Sequence, residues 1–116
     1  MKISEIKEIL ASTELPVTYY QWPEGGVPQL PYLVWYLGDS DNFAADSKVY
    51  QRIEPLFVEL YANPRSFATE GTVESVLNDA ELVWDKSPSF LDTEEMYLTT
   101  YEMDVLIQPE ADAASE

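Results

Sequence analysis

Apolar residues recur along this chain with two periods, and each change of period marks a new element. Ile3, Ile6, Ile9 and Leu10 fall on one helical stripe, with Glu5, Lys7 and Glu8 on the wet side and Ser4 placed to cap the start. Pro16 stops that helix no later than Leu15. Residues 17–22 (VTYYQW) read as a short strand. Residues 23–31 then hold three prolines and two glycines, which predicts a loop or polyproline-like arm. The arm runs into PYLVWYLG at 31–38, a short apolar and aromatic run with no polar alternation. That pattern predicts a central strand buried on both faces, with Leu33, Trp35 and Leu37 pointing one way and Tyr32, Val34 and Tyr36 the other. A helix can cover one face. So short a chain has few elements left for the second, which is a first sign of a partner.

The second half follows the same logic. Residues 48–62 predict a strand antiparallel to the central one and joined to it by an acidic loop. The apolar parity flips across Glu54 and Pro55, which predicts a bulge there. Asn63 and Pro64 end the strand. A helix follows, with Ser66 or Thr69 as cap, Val73, Val76, Leu77 and Ala80 inward, and Glu70, Glu74 and Asp79 on its exposed face. Residues 82–84 read as a short strand, 85–93 as a loop and 94–107 as the last long strand. On that strand Tyr97, Thr99, Tyr101, Met103, Val105 and Ile107 share one face.

The expected fold is α+β, in the order α-β-β-β-α-β-β, with two helices on one face of an antiparallel or mixed sheet. Residues 1–107 form a single domain, and 108–116 an acidic tail expected to be disordered alone. Glu59, Glu102 and Asp104 are expected on the face away from the helices, balanced by Lys48 and Arg52. Acids beside apolar groups on an uncovered sheet face suit an interface or a lumen better than a closed core.

Composition changes the picture through charge. Twenty-two acids face six bases among 116 residues, a formal charge of −16. Phosphate-directed binding depends on Lys and Arg displacing counterions, so nucleic-acid binding of that kind is not expected. Solubility, mimicry of nucleic acid, and a surface that nucleic acid slides past remain as uses of the charge. A hydrophobic content of 46%, with eight tyrosines and three tryptophans, predicts a folded chain. No apolar run reaches the length of a membrane span, and the N-terminus lacks a secretory apolar region, so neither a membrane partner nor export is expected.

Histidine and cysteine are absent, which removes the commonest general base, the commonest nucleophile and the usual zinc ligands. No glycine-rich phosphate loop occurs, and no pair of carboxylates is singled out by spacing. Asp39, Asp41 and Asn42 resemble the opening of a calcium loop, but Ala44 and Tyr50 stand where its glycine and glutamate belong. The chain reads as a non-enzyme without cofactor or metal.

Three segments carry a family resemblance. PYLVWY at 31–36, SDNFAADSKVY at 40–50 and VELY at 58–61 resemble small tail-completion proteins of siphophages and Gram-positive prophages, and the strand with Glu95, Met96, Tyr97, Tyr101 and Glu102 fits the same pattern. The order of helices and strands also looks like the tail terminator fold. The resemblance covers roughly residues 30–107. It implies a structural virion protein at the head-proximal end of the tail, made in the host cytoplasm. Such a protein assembles as a hexameric ring that caps the tail tube, meets the head connector or stopper protein, and lets DNA pass through an acidic lumen. Glu59, Glu102 and Asp104 are then lumen candidates. Aromatic residues at loops and strand ends are favoured at interfaces, so Trp22, Phe43, Tyr50, Trp84 and Phe90 are interface candidates, although each reads equally as satellite core. The rival expectations are an acidic DNA mimic that inhibits a host DNA-binding protein, and a head-side stopper or adaptor.

Overall fold

A computed structural model of the protein describes residues 1–38 and 52–108. The first helix, α1, spans Ile3–Ala11. It starts two residues earlier than a cap at Ser4 would place it. Lys2 is the N-cap, and its amide N–H donates to Glu5 Oε1 at 2.6 Å, so Ser4 lies inside the first turn. At the other end the Thr13 hydroxyl donates to the Leu10 carbonyl at 2.7 Å, and Glu14 reverses the chain with φ of 65°. Strand β1, Val17–Tyr19, is cut short at Tyr20, whose φ of 72° leaves the extended region.

Strands β2 (Tyr32–Leu37) and β3 (Arg52–Ala62), helix α2 (Phe67–Asp79), and strands β4 (Asp85–Leu91) and β5 (Met96–Ile107) complete the chain. The sheet order is β1-β2-β3-β5-β4, with β1 parallel to β2 and the other pairs antiparallel. The protein is therefore α+β, with a mixed five-stranded sheet and two helices. Its middle strand is β3, and β2 lies one place toward the edge.

Both helices pack on one face. Ile6 and Leu10 of α1 and Val73 and Leu77 of α2 join Leu33, Trp35, Val58, Leu60, Tyr101 and Met103 in one buried core. Each fully buried aliphatic side chain there contributes about 1.5–3 kcal/mol of transfer free energy. No described helix is long and apolar enough to cross a membrane.

Three local expectations are corrected. First, β3 carries no bulge between Arg52 and Ala62, because its pairing with β5 runs unbroken from Arg52↔Ile107 to Ala62↔Tyr97. The core-facing parity is kept because Glu54, opposite Val105, is itself buried on the helix side. Pro55 fits because its carbonyl accepts the Gly38 N–H at 2.8 Å. Its own nitrogen thus faces the end of β2, past the last pair Leu37↔Leu56, where no ladder donor is required.

Second, residues 82–84 are not a strand, and most of the expected 85–93 loop is strand β4. Every residue of β4 but Leu91 is exposed, so no apolar alternation announces it, and Pro88 is tolerated because this strand is an edge.

Third, Glu70 is not on the wet face of α2. Only 2% of it is exposed, and it accepts from Arg65 Nε at 2.7 Å, Lys86 Nζ at 3.2 Å and Thr99 Oγ1 at 3.3 Å. Lys86 also donates to Glu74 Oε2 at 2.7 Å, as does the Tyr101 hydroxyl at 2.9 Å. The Arg65 hydrogen bond holds the Glu70 carboxyl below its ordinary value, against the opposing effect of burial. Burial, then the bond to Glu74, pushes the Tyr101 phenol up. Ser66 caps α2 as expected, its Oγ accepting the Thr69 N–H at 3.1 Å.

Candidate interaction surface on the helix-free face

Strand register builds the second face of the sheet row by row. Tyr32, Tyr61 and Leu98 form one row, and Val34, Glu59 and Thr100 the next. Tyr36, Phe57, Glu102 and Asp85 form the third, followed by Pro55 with Asp104 and Ile53 with Leu106. The expected lumen residues Glu59, Glu102 and Asp104 thus share this face, because all three have the parity opposite to the core positions. Lys48 lies outside the described residues, and only the backbone of Arg52 is described.

The three acids differ in setting. Glu59 is half-buried and accepts two hydroxyls, Tyr61 Oη at 2.7 Å and Tyr36 Oη at 3.1 Å. Burial and then the Glu59 charge push the Tyr36 phenol up to about 12. Burial and the bond to Glu59 also raise Tyr61. Both phenols are therefore donors at neutral pH, and they hold the carboxylate in place. Glu102 and Asp104 are exposed, and neither forms an ion pair among the described residues. Asp85 sits directly across from Glu102, a like-charge cross-strand pair that opposes folding locally. Beside this acidic corner, Leu106 is 48% exposed and Val83 90%.

Part of the missing cover for β2 comes from the chain itself. Residues 20–31 fold back over this face, and the Trp22 indole meets the Tyr32 ring edge-on with centroids 5.5 Å apart. Tyr32 and Val34 are consequently buried, while Tyr36 at the far end of the strand is half-exposed.

The remaining interface candidates fall elsewhere. Trp84 stacks edge-on against Tyr101 at 5.3 Å on the helix side, and its indole N–H donates to Asn78 Oδ1 at 2.9 Å. Phe90, 47% exposed, lies on edge strand β4 with its ring 4.8 Å from that of Tyr97. Phe43 and Tyr50 lie outside the described residues, as do the calcium-like stretch and residues 109–116. The sequence pattern alone does not single out Tyr36 and Tyr61, whose hydroxyls both donate to Glu59. Their signal was the shared parity of 36, 59 and 61 on two adjacent strands. Among the described residues no group of three or more His, Cys, Asp or Glu side chains is arranged to hold a metal ion.

No protein-family model and no curated protein matches this chain.

Proposed function

We propose that this chain is a structural protein of a tailed-phage virion, a ring-forming tail terminator or tail completion protein that caps the tail tube and joins it to the head. The observation that carries this proposal is the helix-free sheet face. It combines half-exposed apolar side chains with Glu59, Glu102 and Asp104, and the chain's net charge of −16 agrees with a channel that repels phosphate. The segment resemblance to tail-completion proteins supplies the biological setting. In this proposal the subunits surround a lumen through which DNA passes without sequence-specific contact. The tail tube protein and the head connector or stopper are its partners, and the role is non-catalytic.

Subunits of this charge repel one another in a ring. Screening shortens the reach of that repulsion from about 10 Å at 0.1 M salt to about 3 Å at 1 M, so assembly is expected to tighten with salt or Mg²⁺. The test is light-scattering mass after size exclusion at several concentrations, with and without Mg²⁺, alongside negative-stain images of the largest species. Rings of about six subunits with an open channel support the proposal. Since a joining protein can oligomerise only on its tube, isolated tail tubes form a second arm. The absence of both ring formation and binding to tube ends would overturn the proposal. A monomer or dimer that blocks a DNA-binding enzyme would favour a DNA mimic instead, for which the grouping of Asp85, Glu102 and Asp104 is the relevant feature.

A further inference from the structure

Between the 20–31 arm and the sheet lies an open hollow of about 390 Å³, within the roughly 300–1,000 Å³ range of small-ligand sites. Four aromatic rings line it, those of Tyr20, Trp22, Tyr32 and Tyr61, and Glu94 stands among them. None of the lining residues is basic. Glu59 lies immediately behind Tyr61, tied to its hydroxyl at 2.7 Å. The Trp22 Nε1 is buried without a hydrogen-bond partner among the described residues, so this indole offers the hollow its ring and not its donor. Aromatic faces carry negative potential and attract cations, most strongly where water is partly excluded. Two carboxylates, one in the hollow and one behind its wall, add to that potential. An anion would meet repulsion from both acids and no cationic side chain to bind it.

From this geometry we propose that the hollow is a binding site for an organic cation, an alkylammonium or guanidinium group seated against Tyr20, Trp22, Tyr32 and Tyr61 with Glu94 as its counter-charge. The site lies on the helix-free face, within one copy of the chain, and its formation does not depend on the assembly proposed above. The cation's source is either a free quaternary amine or a lysine or arginine side chain presented by a partner protein.

The test is titration of the full chain, followed by tryptophan fluorescence and by ¹H–¹⁵N NMR of the indole resonances. The probes are choline, Nα-acetyl-lysine amide, Nα-acetyl-arginine amide and the neutral choline isostere 3,3-dimethylbutan-1-ol. We expect saturable binding of a cation that moves the Trp22 indole signal, with the neutral isostere at least roughly fivefold weaker. Preference for choline identifies a free amine as the ligand, and preference for either amino-acid amide identifies a partner side chain. Tyr20 is 67% exposed and Glu94 is also exposed, so Tyr20→Ala and Glu94→Gln leave the core intact. Each is expected to weaken binding several-fold with an unchanged melting temperature. Equal binding of the neutral isostere, variants without effect, or no saturable shift up to roughly 100 mM probe (a hundredfold above a millimolar Kd) would overturn the site. None of those results bears on ring formation, which is read from mass.

Discussion

Replacing Glu70 by glutamine tests the buried charge network most directly. The carboxylate is 2% exposed and receives two bonds from Arg65, at 2.7 and 3.2 Å, one from Lys86 at 3.2 Å and one from Thr99 at 3.3 Å. Hydrogen bonds to a charged group are worth about 1.5–3 kcal/mol net. Glutamine keeps one acceptor oxygen but turns an amide NH₂ toward the cations. The stranded partners are not trapped, because 27% of the Arg65 side chain and 30% of that of Lys86 remain exposed and can turn to water. The expected loss is therefore about 2 kcal/mol at pH 7, below the 3–5 kcal/mol typical when a charge is left buried and unpaired. The pH dependence carries the sharper signature. Because the folded carboxyl titrates below its ordinary value of 4.5, its contribution is fully present above 4.5. That contribution is lost as pH falls through the lower folded value. Urea unfolding of both proteins between pH 7 and pH 3 should show two parallel stability curves down to pH 5, converging below about pH 4. A constant difference across that range, or equal stability at pH 7, would refute the network as a source of stability.

Gly38→Ala places a Cβ 2.8 Å from Pro55 Cγ and 3.1 Å from Phe57 Cε2, and the proline ring has little room to yield. A loss of about 1–3 kcal/mol by urea unfolding is expected, and a neutral result would show that the β2 end relaxes freely. Tyr36, Tyr61 and Tyr101 all have folded values raised above the ordinary 10.0. Their contribution is full below pH 10 and is lost as pH rises from there, while the unfolded phenols ionise first. Melting temperature should fall between pH 10 and 12, and absorbance near 295 nm should show these three titrating late. Ordinary titration of all eight tyrosines would contradict the structure. Glu102→Thr removes the like charge opposite Asp85 and should raise the melting temperature slightly, whereas Glu102→Asp should not.

Much of the fold was legible in the chain because its elements sort their own side chains. The helical stripe of Ile6 and Leu10, the Val73 and Leu77 pair, and the strict alternation of Tyr101, Met103, Val105 and Ile107 each express burial on one side, a property local to the element. The same parity assigns Glu59, Glu102 and Asp104 to the face away from the helices, where the strand register places them. Strand β4 was not legible, because a strand exposed on both sides writes no period into its residues.

By itself, then, the sequence determined the apolar core positions of α1, α2 and β5, the α+β class, and an acid-bearing second sheet face. Tertiary structure alone decided what lies opposite what. It buried Glu70, whose isolated pattern predicted solvent, because Lys86 and Thr99 arrive from 16 and 29 residues away to join Arg65. It set β1 parallel beside β2 and held β3 in unbroken register with β5. It also folded the 20–31 arm across Tyr32 to form an aromatic hollow. The physical reason is one of range. Partition between water and core acts residue by residue, whereas charge compensation and strand pairing depend on partners that only the folded chain brings within a few ångströms.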